Sequence, residues 1–132
     1  MCLETKNDRN IKTGRRYEYY IKWSLGRDGW EVQERGKYGF YDRGIDLIAT
    51  KNGVTRYIQC KGWSFRRYIH EDVVTQFFGS VVAQAGLENL NSIEMYIYSP
   101  ANPSPYAKDK ASKLNVHFIK KPFPIWHRKR KV

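Results

Sequence analysis

Residues 44–61 read GIDLIATKNGVTRYIQCK. Two short apolar runs flank Asn52-Gly53, the dipeptide that most strongly signals a two-residue hairpin turn, because both residues tolerate positive φ. With those two as the turn, Lys51 faces Val54, Ile48 faces Tyr57, Leu47 faces Ile58 and Asp46 faces Gln59. Lys61 lies two residues past Gln59, so it points to the same face. The opposite face carries Ile45, Leu47, Ala49, Ile58 and Cys60 and is expected to pack inward. A slip of one residue would bury the polar set, so the register is well specified.

The polar face gathers an acid, an amide and a lysine. An aspartate with neighbouring oxygen ligands suits Mg²⁺ or Mn²⁺, which keep several waters and bind phosphate oxygens. Such an ion acidifies water and neutralises phosphate charge. A nearby lysine can orient that water, help deprotonate it or stabilise developing charge. Gln59 offers only a neutral carbonyl oxygen, so a further carboxylate is needed. Glu18, beside the buried stripe of a helix at Tyr17, Ile21 and Leu25, is the best candidate. Simpler arrangements have the same residues: an Asp46–Lys61 ion pair across the strands, or Glu18 with Lys22 at i+4.

Around this hairpin the pattern predicts eight elements. A helix runs from Thr13, as its cap, to Gly26 or Gly29. WEVQERG is a short strand, and the Gly-rich, aromatic KYGFYDRG is a loop passing near the site. After the hairpin, EDVVTQFFGSVVAQAG forms a helix with an apolar face from Val74 to Ala85, ended by Gly86. SIEMYIYS reads as a strand in mid-sheet. Ser104 caps a helix that opens on Pro105, and NVHFI is a last strand. The order α-β-β-β-α-β-α-β predicts an α/β fold, a mixed sheet flanked by helices. Residues 1–12 are expected to be a flexible arm, 13–120 the domain and 121–132 a basic tail.

Composition limits the partners. The 132 residues include 24 Lys+Arg against 13 Asp+Glu, a net charge of +11. This excess draws the chain to polyanions, nucleic acid first. No run is long enough to span a membrane, and no signal peptide is evident. Two cysteines, Cys2 and Cys60, form no CxxC or zinc pattern, which points to a reducing, cytoplasmic setting.

The motifs resemble the PD-(D/E)xK nuclease superfamily, and within it the Mrr-type restriction endonuclease catalytic domain. They are YE at Tyr17-Glu18, GWEV at Gly29 to Val32, GIDLIA at Gly44 to Ala49 and IQCK at Ile58 to Lys61, followed by QFFGSV and YAKDKASKL. The resemblance covers about residues 13 to 120 and implies a restriction-endonuclease-like fold. It implies that Asp46 binds the metal, that Gln59 takes the place of the usual second acid and that Lys61 is the catalytic lysine. Glu18 would complete the site, and the Cys60 backbone carbonyl would be a further ligand. The expected activity is Mg²⁺- or Mn²⁺-dependent DNA endonucleolysis, by a homodimer if both strands are cut.

Archaeal Holliday junction resolvases share the fold and spacing but normally have Glu where this chain has Gln59. A resolvase acting on branched DNA is therefore the alternative within the class. A catalytically silent DNA-binding module is the alternative outside it. The length leaves no room for a separate recognition domain, which favours reading of DNA structure or action beside a partner. Arg15, Arg16, Lys37, Arg43, Arg66 and Arg67, with Arg128, Lys129 and Arg130 of the tail, are the candidates for contact with duplex or branched DNA. WSFRRY and KYGFY could track phosphates and stack on unpaired bases, or they could pack at the core edge.

Overall fold

The computed structural model describes residues 6–35 and 44–124. Its elements are α1 (Lys6–Arg27), β1 (Glu31–Glu34), β2 (Leu47–Lys51), β3 (Val54–Cys60), β4 (Tyr68–Ile69), α2 (Glu71–Ala85), a 3₁₀ helix (Leu87–Ser92), β5 (Ile93–Ser99), β6 (Asn102–Pro103), α3 (Pro105–Leu114) and β7 (Val116–Lys120). The eight expected elements are present in the expected order. The two-residue ladder of β4 with β6 and the 3₁₀ helix were not foreseen.

The hairpin forms at the expected turn. Asn52 and Gly53 have φ of 50° and 81°, and the ladder runs from Leu47–Ile58 to Lys51–Val54. The five-stranded sheet has the order β1-β2-β3-β5-β7. Its first two pairings are antiparallel and its last two parallel. Each parallel step crosses over through a helix, α2 and then α3. Right-handed crossovers advancing in one direction put both helices on one face, and α2 packs against α3 there. The other face belongs to α1.

Both faces of the hairpin are therefore buried, which corrects the expectation of one apolar and one polar face. Leu47, Ala49 and Ile58 pack with Tyr17, Ile21 and Leu25 of α1. Tyr57 and Ile97, with Ile48 beside them, pack with Val74, Phe77 and Val81 of α2. Ile45, expected beside Leu47, belongs to the α2 side. The hairpin strands lie within a sheet covered by helices on two sides, so each alternation meets a helix.

Helix α1 starts at Lys6, inside the segment expected to be a loose arm, and passes through Thr13 without stopping. Extending a helix costs far less than nucleating one, and residues 6–12 contain no proline. Its end is a Schellman motif, with Trp30 N–H donating to Leu25 O and Gly29 N–H to Gly26 O, both at 3.0 Å. Gly29, at φ 94°, supplies the left-handed backbone this cap needs. The cap of α3 is as expected: Ser104 Oγ accepts from Ala107 N–H at 3.1 Å. Asn115 ends the helix at φ 59°.

The domain also extends past residue 120. Tyr17 Oη donates to Lys121 O at 2.8 Å. Phe123 is buried, packing edge-on to Tyr17 at 5.4 Å and stacked on Tyr20 at 5.7 Å. Phe123 offers apolar surface that the sheet-side face of α1 can bury, so the first part of the expected tail joins the core. Among the described residues, no helix is long and apolar enough to cross a membrane.

Candidate active site

The regular ladder of β2 ends at Leu47, one residue short of Asp46. Asp46 N–H donates to Ile58 O at 2.8 Å, and Asp46 O accepts from Arg35 N–H at 2.7 Å. The Asp46 side chain turns onto the neighbouring strand, where its Oδ2 accepts from Cys60 N–H at 2.7 Å. A charge-assisted bond of this kind fixes a carboxylate firmly. Asp46 is thus seated against the Gln59–Cys60 peptide, at the end of β2 where the chain enters the sheet. Gly44 makes that entry feasible. Its φ is +96°, and a Cβ there would lie 2.8 Å from Ser80 Oγ of α2.

Glu18 and Lys61 lie within electrostatic range of Asp46. Burial and then the Asp46 charge push the Glu18 carboxyl up to about 8, with Glu34 adding to them and Arg15 and Lys22 pulling the other way. Asp46 itself is raised by burial, against the opposing pull of the Cys60 N–H and the Lys61 charge. The i+4 pair of Glu18 with Lys22 does not form as the simple reading had it. Lys22 Nζ bonds Glu34 Oε1 at 3.2 Å. Lys61 continues the sheet, its N–H donating to Tyr98 O at 2.9 Å, and its Nζ lies 5.3 Å from the centre of the Trp63 ring.

Gln59 is placed differently from the expectation. It is 6% exposed, and strand alternation puts it on the Tyr57 side, opposite its ladder partner Ile97, away from α1. Its Oε1 is buried and accepts no hydrogen bond. An unsatisfied buried carbonyl costs about 1–3 kcal/mol, and no bond links this atom to Asp46. The Cys60 thiol, partly buried against the α1 side of the core, is pushed up, first by its removal from water, so it stays neutral.

A divalent cation fits this donor set. Two carboxylates half removed from water, one pushed up by the other's charge, want a cation between them. Among the described residues no three His, Cys, Asp or Glu side chains converge into a cage. Mg²⁺ does not need one, since it is commonly held by one or two carboxylates, waters and substrate phosphates.

The predicted DNA-contacting residues are partly visible. Arg15, Arg16, Arg66 and Arg67 are exposed. Lys37, Arg43, Arg128, Lys129 and Arg130, and the KYGFY loop, lie outside the described residues. Sequence reading missed Arg56, whose guanidinium sits 4.5 Å from Trp30 and 3.9 Å from Tyr96 and bonds Glu94 and Tyr98 Oη at 3.0 and 2.9 Å. Its place opposite Glu94 in the β3–β5 ladder depends on a long-range pairing that the local pattern did not reveal.

The sequence matches the Mrr_cat restriction endonuclease family over residues 11–120. The chain belongs to that family. The Mrr_cat match runs from within α1 to the end of β7 and so includes Glu18, Asp46, Gln59 and Lys61. No curated protein sequence matches it. Solved structures similar to this family member include a repair endonuclease from Pyrococcus abyssi, at 18% identity and TM-score 0.57, covering 83% of this chain and 47% of that one. Another is Can2 from Sulfobacillus thermosulfidooxidans in complex with cyclic tetra-adenylate, at 13% identity and TM-score 0.65, covering 93% and 36%. A third is EndoMS in complex with double-stranded DNA, at 14% identity and TM-score 0.57, covering 85% and 46%. At these identities the likeness is one of fold, the restriction-endonuclease-like fold. The chain spans half or less of the length of each of these three.

Proposed function

We propose that the chain is a metal-dependent DNA endonuclease that hydrolyses phosphodiester bonds. The observation that carries this reading is an Asp46 pinned to the Cys60 N–H and within electrostatic range of Glu18 and Lys61, in a member of the Mrr_cat family. Asp46, Glu18 and the Cys60 carbonyl would hold the ion, and Gln59, turned to the other face of the sheet, would support the strand that carries them instead of binding the ion directly. When bound, Mg²⁺ or Mn²⁺ supplies acidification of water and charge neutralisation at the phosphate. Lys61 Nζ holds the attacking water's position by donating to it and offsets charge on the phosphate oxygens. Asp46, fixed by its backbone partner, keeps its carboxylate in place without reorganisation during the reaction. The EndoMS structure is a complex with double-stranded DNA, which together with the +11 charge supports DNA as the substrate. Two such sites are needed to cut both strands, so a homodimer is the expected working form.

One observation favours a second reading. Among the described residues the carboxylate pair lacks a third acid, and Gln59 Oε1 accepts no hydrogen bond, a set weak enough for a silent DNA-binding module. Incubation with linear duplex, single-stranded, flap and four-way-junction DNA, in Mg²⁺, Mn²⁺ or EDTA, separates the readings. Metal-dependent cleavage supports the endonuclease. Paired symmetric nicks on junctions alone assign a resolvase. Binding of every substrate with cleavage of none assigns the silent module.

A further inference from the structure

The segment after Lys61, residues 62–68, splits into two parts of opposite character. Trp63 turns in and packs at the edge of the α2-side core. Phe65 and Tyr68 turn out, 63% and 57% exposed. The segment is tightly held. Lys61 N–H bonds Tyr98 O at its start, and Tyr68 and Ile69 pair with Asn102 and Pro103 at its end. Between them a turn closes, with Arg67 N–H donating to Ser64 O at 2.9 Å and Arg66 N–H to Ser64 Oγ at 3.2 Å. Phe65 and Arg66 are therefore the tip of an anchored turn.

Cations line this tip. The Arg67 guanidinium lies 4.0 Å from the centre of the Trp63 ring, the same ring that Lys61 Nζ approaches at 5.3 Å. One indole thus spaces Arg67 from the candidate catalytic lysine. Arg66 lies 5.7 Å from the Phe65 ring. Exposed rings interleaved with arginines are what a single strand needs: cations follow phosphates, and each base offers a π-face for stacking. Base-paired DNA keeps its bases stacked on one another and offers Phe65 no such face.

We propose that this turn reads unpaired bases, with Phe65 stacking on a base, Tyr68 supporting the next and Arg66 and Arg67 holding the flanking phosphates. The turn therefore directs the active site to DNA containing an unpaired stretch. This deepens the endonuclease reading and rests on it for its catalytic meaning, while the recognition itself is a binding property.

The test measures binding of the full chain in EDTA, by fluorescence anisotropy, to a duplex and to the same duplex with a short single-stranded gap. The wild type is expected to prefer the gapped DNA and to quench 2-aminopurine placed in the gap. Phe65→Ala and Phe65→Leu are expected to lose about 5- to 150-fold of gapped-DNA affinity, with duplex affinity unchanged. Phe65→Trp retains the preference. Arg66→Ala/Arg67→Ala weakens both DNAs and lowers the salt slope by about 1–2. Phe65 is exposed, so its variants should keep the wild-type melting temperature. No preference in the wild type overturns the proposal. So does a preference kept by both Phe65→Ala and Tyr68→Ala, or one kept by Phe65→Leu, which would mark the tip as an apolar contact for a protein. Failure to cleave in Mg²⁺ with the preference intact sinks the endonuclease reading alone.

Discussion

The Asp46 carboxylate accepts a hydrogen bond from the main-chain N–H of Cys60 at 2.7 Å. This bond replaces a further rung of the hairpin and ties the acid of one strand to the motif of the other. It also separates two roles that Asp46 plays, acceptor and charge. Asp46→Asn keeps an acceptor for Cys60 but removes the charge. It is expected to fold, to bind DNA within about 3-fold of wild type and to lose at least about 10²-fold in kcat. Lys61→Ala should behave likewise. Comparing nicking rates with DNA affinity for each variant checks both halves.

Glu18 predicts an inverted pH dependence. Its carboxyl is pushed up to about 8 from an ordinary 4.5, so between those values the folded chain binds more protons than the unfolded one. Stability of the metal-free protein should therefore fall as pH rises through that window. Mg²⁺ binds the ionised form and should flatten the slope. Thermal melts from pH 5 to 8.5, in EDTA and in Mg²⁺, check this. Glu18→Gln should melt higher than wild type at pH 8 in EDTA and cleave more slowly in Mg²⁺.

Much of the fold around the candidate site was legible because short-range chemistry encodes it. Asn52-Gly53 fixes the turn, and the turn fixes the register from Leu47–Ile58 outward. The Ser104-Pro105 pair fixes the start of α3. Burial of Gln59 was not legible, because it depends on α2 covering the second face of the sheet. Alternation within one hairpin cannot reveal a helix arriving from elsewhere. Phe123 fell within the expected basic tail for a related reason: the aromatic surface that holds it, Tyr17 and Tyr20, lies far away in the sequence, on α1.

Gly44 should be intolerant of side chains. At φ +96°, with Ser80 Oγ 2.8 Å from an added Cβ, Gly44→Ala is expected to cost about 1–3 kcal/mol and to lower cleavage by displacing Asp46. Gly53 has open space around it, so Gly53→Ala pays only for its backbone and should leave cleavage intact. Urea denaturation midpoints and nicking rates for the pair distinguish strain at the hairpin turn from strain at the site.

The closing contact of the C-terminal segment is a stability element. Phe123→Ala should destabilise the fold by about 3 kcal/mol, as for other buried aromatics. Tyr17→Phe, which removes the bond to Lys121 O, should cost about 1 kcal/mol. Chemical denaturation of the two variants and their combination should show a coupling, since both groups hold the same strand exit.

Cleavage of the DNA panel by wild type and Asp46→Asn, side by side in Mg²⁺ and in EDTA, decides whether Asp46 carries metal-dependent hydrolysis. Wild type is expected to cleave at least one substrate in Mg²⁺ and none in EDTA, and Asp46→Asn to cleave none in either. Cleavage by Asp46→Asn at the wild-type rate, or wild-type cleavage undiminished by EDTA, would contradict that role.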